Sequence, residues 1–463
     1  MRTLLMLVLA CCSLGVFALE PVKITDAKDQ EILKHFLVQV AAVPTDISPK
    51  YCQKMVDDEC EGYTWQICPY LDMPLTAYKL TGDVKYLEDF VKTFANMSTT
   101  LTSGPDGFKG WYGKPLPIFS DKNNPGAKTD VMINCFHATE VLTDFIETIA
   151  AEPALAEKYA AQKKEYLDLL ENHFVKAWLD RGNLADLGKL GAAFRAEFTI
   201  SKDKGGLTHP HNKQSICVRG LCGLYRVTGK DEYLALAIKL ATCFKHSLTL
   251  KAGHYEWNYW DPAGEWDIDP ENPKYKWRHW IGVEHKGGYY ASSLAQAVEM
   301  YDFGLVFNRT DLDRFLKTQL ELCWDGKMDK PGWSRVDGTK SDKYMQGEYI
   351  CEALAPYSAK VQEYLFTGPR QDHRIKVADN NWHGGPMANY WLKAKLLELP
   401  SKPDGKQKYL EFGKKFLAKP ENAALVKELE FTASEPNYVA PESPKDAKDL
   451  PKTPPAKTAS AKG

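Results

Sequence analysis

Residues 251–290 read KAGHYEWNYWDPAGEWDIDPENPKYKWRHWIGVEHKGGYY, a stretch rich in Trp, Tyr, His and acids and poor in Leu and Ile. Sugars are bound by flat ring faces stacking on aromatic side chains, with polar groups reading the hydroxyls. Tyr and Trp supply both a ring and a polar tip. Trp257, Tyr259, Trp260, Trp266, Trp277 and Trp280 fall within 24 residues, interleaved with His254, Asn258, Arg278, His279 and His285. For any one ring, a satellite core beneath the loop is as good an explanation as a ligand. For the whole cluster a binding cleft is the better reading, lined by Trp257, Asn258, Trp260, Trp277 and Arg278. A segment this long is functional or disordered, and disordered segments lack such a density of aromatics.

Three chemistries fit these residue types. A glycoside hydrolase needs two carboxylates roughly 5 to 10 Å apart. Glu256, Asp261, Glu265, Asp267 and Glu284 are available, but no spacing singles out a pair. A sugar epimerase moves protons between histidines in a closed pocket, and His254, His279 and His285 are of the right type, although a lone His is more often structural. A uronate lyase needs a base for the proton beside the carboxylate carbon and a donor that neutralises that carboxylate. It also needs an acid for the leaving oxygen, a role open to Tyr. His211 and Asn212, in His209-Pro-His211-Asn212, add polar groups at a helix start, where Asn also suits an N-cap. Asn134 and His137 lie one helical turn apart, facing either a cleft or each other in the core. Asp267, Asp269 and Glu271 lack the Gly and terminal Glu of an EF-hand loop and read as a solvated acidic loop.

The elements that must position these residues are helical. Ile32, Leu33, Phe36, Leu37 and Val40 form one apolar stripe, and Leu87, Phe90, Val91 and Phe94 another. Val131, Cys135, Val141, Leu142, Phe145, Ile146 and Ile149 mark a long buried helix. Further helical runs are expected near 155–179, 211–227, 231–248, 292–307, 311–323 and 387–399, with few strands. Tyr78-Lys-Leu-Thr-Gly-Asp-Val-Lys-Tyr86-Leu87 is repeated as Tyr225-Arg-Val-Thr-Gly-Lys-Asp-Glu-Tyr233-Leu234. Gly82 and Gly229 each suit the left-handed residue that closes a helix. Each copy is thus a helix–turn–helix hairpin, and stacked hairpins make a solenoid or a closed toroid. Long aromatic loops favour an all-α, α/α toroid, with a cleft built from the 205–215, 251–290, 325–347 and 370–385 loops.

The chain has 463 residues, 44% hydrophobic and 26% charged, with a formal net charge of −2. That balance gives no basic field for nucleic acid. MRTLLMLVLACCSLGVFALE reads as a signal peptide, 1–18, cut after Ala18, which directs the chain to a secreted or periplasmic location. An alternative reading makes Cys11 a lipidated cysteine. No later run is apolar for long enough to span a membrane. Of 11 cysteines, nine remain after the signal. Cys52, Cys60 and Cys68 cluster where one disulfide is plausible, whereas Cys135, Cys217, Cys222 and Cys243 read as small buried hydrophobes. No Cys or His set has zinc spacing, so neither a metal nor another cofactor is expected. The folded unit spans 19–431. Residues 432–463 form a Pro/Lys/Ala-rich tail expected to be disordered. Asn96-Met-Ser98 and Asn308-Arg-Thr310 match the glycosylation sequon.

With its hairpin repeat, its signal peptide and the order His285…Arg335…Tyr344, the chain resembles the α/α-toroid polysaccharide lyases, alginate and glucuronan lyases among them. His285 lies in Glu284-His-Lys-Gly-Gly-Tyr-Tyr290, Arg335 in Gly332-Trp-Ser-Arg335 and Tyr344 in Asp342-Lys-Tyr344. The Asn-Asn-His run of some alginate lyases has no counterpart at His285. The resemblance implies β-elimination on an acidic polysaccharide substrate. Tyr344 would be the acid and also the base, His285 and Arg335 would neutralise the uronate carboxylate, and His254 and Tyr290 would be second choices for proton transfer. A glycoside hydrolase, an epimerase or a non-catalytic glycan-binding protein are the rival readings. Truncation after Thr432 is expected to leave the melting temperature unchanged, because the tail has too little apolar surface to bury; a loss of cooperative unfolding would show otherwise.

Overall fold

A computed structural model describes residues 19–115, 126–197, 205–269, 278–279, 281–340, 347–380, 384–400 and 402–429. The expected signal peptide, the tail, Trp277 and Tyr344 lie outside these residues.

Helices dominate the described chain. Asp26 opens α1 (Ala27–Asp46) by accepting the Asp29 N–H at 3.0 Å. Ser48 opens α2 (Pro49–Glu59), with Pro49 at a position where a missing N–H costs nothing. Then come α3 (Tyr63–Thr81) and α4 (Lys85–Ser98). The long helix read from the apolar stripe is α5 (Met132–Ala150). It is followed by α6 (Pro153–Lys158), α7 (Ala160–Leu169), a π-helical turn and α8 (Lys176–Asp180). The next hairpin is α9 (His211–Thr228) and α10 (Asp231–His246). α11 (Gly287–Asp302) leads to α12 (Arg309–Lys317), which starts with a reciprocal capping box between Asn308 and Asp311. A 3-10 turn at Glu352–Tyr357 precedes α13 (Ala359–Phe366), α14 (Gly368–Asn380) and α15 (Gly384–Leu392). The last two are α16 (Leu410–Leu417) and α17 (Pro420–Glu428). Strands are confined to three short antiparallel pairs: Thr102–Ser103 with Lys109–Gly110, Leu184–Asp186 with Ala192–Phe194, and Thr249–Lys251 with His254–Glu256.

The repeated sequence produces the same turn twice. Gly82 and Gly229 both close their helices with φ of 69°, and each N–H returns to the carbonyl of the Tyr four residues earlier. α15 packs on α3, α3 on α5, α5 on α9 and α9 on α11, while α1 packs on α3, α4 and α15, and α10 on α9 and α11. The α5–α9 contact is close: a Cβ on Gly223 would fall 2.2 Å from Thr143 Oγ1.

The helices of this series turn charged side chains towards one another. Arg226 of α9 bonds Glu147 of α5 at 2.7 Å and Glu299 of α11 at 2.8 Å. Lys393, just beyond α15, reaches Asp72 of α3 at 2.9 Å and Asp144 of α5 at 3.4 Å. Lys79 of α3 meets Asp144 at 2.6 Å. Burial works against both cations, but the surrounding acids win and hold the Arg226 and Lys393 pKa values well above ordinary.

The disulfide expected among Cys52, Cys60 and Cys68 is not formed. All nine thiols are free and eight are fully buried. Cys60 Sγ points at the Thr129 carbonyl at 3.6 Å, and burial pushes its pKa up to about 12. No helix among the described residues is long and apolar enough to cross a membrane.

Arg226→Met leaves two carboxylates facing each other without their cation and is expected to cost about 3 kcal/mol, because breaking a buried pair strands the remaining charge. Gly229→Ala forces a Cβ into the left-handed region and is expected to cost about 1 kcal/mol. Urea unfolding midpoints of the two variants check both, and equal losses would show that the Arg226 pairs behave like surface pairs.

Candidate functional site

The aromatic insertion is largely interior. Trp257 is buried, stacked on Tyr290 with centroids 5.4 Å apart and edge-on to Phe244 and Phe315. Trp260 is fully buried and donates its ring N–H to the Thr208 carbonyl at 2.7 Å. Trp266 donates to Thr208 Oγ1 at 3.0 Å. Asp267 accepts from the Thr208 N–H, the Thr208 hydroxyl and the Ala263 N–H at 3.0, 2.7 and 2.8 Å, so this carboxylate organises the loop. Arg278 is tied in through its own N–H to the Asp267 carbonyl at 2.8 Å. Trp257 therefore joins the main core, whereas Trp260 and Trp266 form a satellite core around Thr208 and Asp267.

Other sequence candidates also take structural places. His211 Nε2 lies 3.0 Å from Asp261 Oδ2, and Asn258 Nδ2 donates to Asp261 Oδ1 at 2.8 Å, joining the loop to the start of α9. Asn212 is buried, and its carbonyl accepts from Ser292 Oγ at 3.1 Å. His254 faces Glu256 at 3.2 Å on the strand beside α12. Tyr290 is fully buried, with its hydroxyl on Gln319 at 3.1 Å, so the solvent does not reach this second-choice proton donor.

His285 is placed differently. It lies immediately ahead of α11, half-buried, edge-on to Tyr259 at 5.0 Å and to Tyr289 at 5.9 Å between centroids. Tyr259 and Tyr289 stack on each other at 5.5 Å. Burial, then Lys286 and Arg335 nearby, holds the His285 pKa down at about 4, so the imidazole is neutral near pH 7. The structure therefore brings Arg335 into the electrostatic reach of His285, fifty residues away in sequence. Glu284 is fully buried and accepts the His285 N–H at 2.9 Å, and burial pushes its pKa up to about 8 despite that bond. One titrating pair of chain neighbours thus holds a neutral imidazole and a protonated carboxyl.

Lys213, Glu197 and Trp65, which the sequence reading did not single out, also take defined places. Lys213, in the first turn of α9, pairs with Glu61 just ahead of α3. Glu197 accepts the Met132 N–H at 2.6 Å at the start of α5, and burial raises its pKa to about 7. Trp65 of α3 stands edge-on to His137 of α5 at 5.0 Å, and burial, then Arg219, lowers the His137 pKa to about 3. Asn134 is not its partner; Asn134 accepts from Thr64 and donates to the Cys60 carbonyl, tying α5 to α3. The missed signal was a polar residue at every third or fourth position of the largely buried α5, at 137, 140, 144 and 147, matched on α9 by Arg219 and Arg226 seven residues apart, which pair with Glu140 and Glu147.

Glu284 offers a test. Its folded pKa is raised from the ordinary 4.5 to about 8, so the stability of the protonated form is fully present below 4.5 and is lost as pH rises through 8. Glu284→Gln cannot ionise. Its melting temperature is expected to gain on that of the wild type from pH ~4.5 upward and to level off above pH ~8. A constant difference over that range would show an ionised Glu284 in the fold.

Comparison of the chain with protein-family models, with curated proteins and with solved structures found no match.

Proposed function

We propose that the protein is an exported polysaccharide lyase acting on a uronate-containing chain, with its inner helices arranged as an α/α toroid and its site at their N-terminal ends. The observation that carries this reading is the neutral His285 beside Arg335, flanked by two tyrosine rings. Elimination asks for that combination. A neutral imidazole accepts the C5 proton, and the guanidinium takes up the charge that develops on the carboxylate.

The electrons of the C5–H bond form the C4=C5 double bond, the C4–O bond breaks, and the leaving oxygen takes a proton. Tyr289 is the described hydroxyl group best placed for that last transfer, because its half-buried ring faces His285 and Lys286 lies 4.9 Å above it. Tyr344, the acid that the resemblance implies, remains the rival for this role. Burial raises the Tyr259 pKa, which keeps its hydroxyl protonated as a hydrogen-bond donor to substrate. An epimerase would use the same neutral imidazole and the protonated Glu284 without breaking the chain.

The test is ultraviolet absorbance from the unsaturated product on alginate and polyglucuronate. Turnover is expected to fall by a factor of about 100 or more in His285→Ala, and similarly in Tyr289→Phe. Arg335→Lys, which keeps charge but loses the two-pronged grip, is expected to be costly too. Wild-type rates in folded His285→Ala would sink the assignment. Deuterium entering C5 from heavy water with no cleavage would replace it with epimerisation.

A further inference from the structure

α14 carries two arginines one helical turn apart, Arg370 and Arg374. Their side chains are only 9% and 7% exposed. Arg370 is well answered. It pairs with Glu348 at 2.7 Å and with Glu352 of the 3-10 turn at 2.9 Å, and its guanidinium lies 5.2 Å from the centre of the Tyr364 ring. Arg374 is not. Its one ion-pair contact among the described residues is Glu352 Oε1 at 3.9 Å, which is too long for a hydrogen bond and already taken by Arg370. Arg374 Nη1 is buried and has no hydrogen-bond partner among the described residues. The side chains of Glu348 and Glu352 are 41% and 36% exposed, so water screens their charge while the guanidiniums are shut away from it. Burial, then Arg370, lowers the Arg374 pKa, as befits a cation with too little negative charge around it.

Both arginines border a small cavity between α13, α14 and α15, with room for one water-sized body. Leu365, Phe366 and Trp391 make its apolar wall, and Arg370, Arg374 and Glu352 its polar side. The Trp391 ring N–H is already spent on Asp29 at 3.1 Å, so the guanidiniums are left to supply the donors. We propose that this cavity is a binding site for a single monatomic anion, chloride, held by Arg374 and Arg370. An ion there gives Arg374 Nη1 the acceptor it lacks and relieves the repulsion between two cations on successive turns. A water molecule would satisfy the donor but leave the desolvated charge unanswered. Glu352 shares the wall, but its charge is divided between the two arginines and open water. The small volume excludes a carboxylate, sulfate or phosphate group, so this is not a substrate subsite, and the inference stands apart from the lyase reading. A bound ion ties α14 to α15 and to the 3-10 turn, so occupancy is read as stability.

The experiment starts from full-length protein in sodium gluconate, whose anion is too large for the cavity. Gluconate is exchanged for chloride or bromide at fixed ionic strength, and the melting temperature is followed. Both halides are expected to raise it saturably, by about 3 °C at a hundredfold excess over Kd. Arg374→Met is expected to lose that gain and to keep only the general salt effect that any protein surface shows. Wild-type crystals soaked in bromide give a second measurement that needs no variant, with an anomalous scattering peak expected beside Arg374 Nη1. Equal melting temperatures of the wild type in gluconate and chloride would overturn the site. A saturable halide gain that Arg374→Met retains would place the ion elsewhere and overturn it as well. Should the variant fail to fold, the bromide soak decides: a peak at Arg374 Nη1 sustains the site, and an ordered water there in its place overturns it.

Discussion

Charge placed inside a helical assembly must be answered by charge from a neighbouring helix, and here that demand organises the interior. Arg226 is shared between α5 and α11, and Lys393 between α3 and α5. Each cation therefore fixes the relative height of three elements at once, since sliding one helix by a turn would leave a desolvated charge alone. Replacing such pairs with apolar side chains can be neutral or favourable in stability, whereas removing one partner is costly. Their contribution is accordingly to register more than to net stability. Apolar contacts between the helices, such as Phe90 of α4 stacked on Phe145 of α5 at 4.6 Å, supply the bulk of the driving force.

The same interior sets the protonation states at the helix N-termini. His285 and His137 are kept neutral by burial and by nearby cations, and Glu284 is kept protonated by burial alone. Opposite shifts in these neighbouring groups set a proton acceptor beside a proton donor near pH 7. The stacked Tyr259 and Tyr289 flank His285, and Tyr259 is itself held by its N–H on the Gly282 carbonyl at 2.8 Å.

Sequence carried the helices well, because apolar periodicity and the Tyr-x-x-Thr-Gly repeat are local signals. Both Gly82 and Gly229 take the left-handed conformation that the repeat implied. The 251–290 cluster was legible as a structured insertion, but composition does not say which way an indole points. Trp257 and Trp260 go inward with Tyr255 and Ile281 as the segment's apolar mass, and Thr208, more than fifty residues upstream, supplies the acceptors for Trp260 and Trp266. The partners of His285 were visible only in part. Arg335 enters through a resemblance in order, whereas the packing of His285 against Tyr259 and Tyr289 joins a loop to α11 in a way that no local pattern signals.

Nine thiols without a crosslink among the described residues give the chain a kinetic requirement. Once folded, the raised pKa values of Cys60, Cys68, Cys135, Cys217 and Cys222 leave almost no thiolate for exchange. Before folding, all nine have ordinary acidity and are open to oxidants. In oxidising surroundings, collapse of α3, α5 and α9 must outrun sulfur oxidation, since a mispaired bond between any two of these helices would hold apart the faces that have to meet. The short connections of the α3–α4 and α9–α10 hairpins favour that outcome, because contacts close in sequence form soonest.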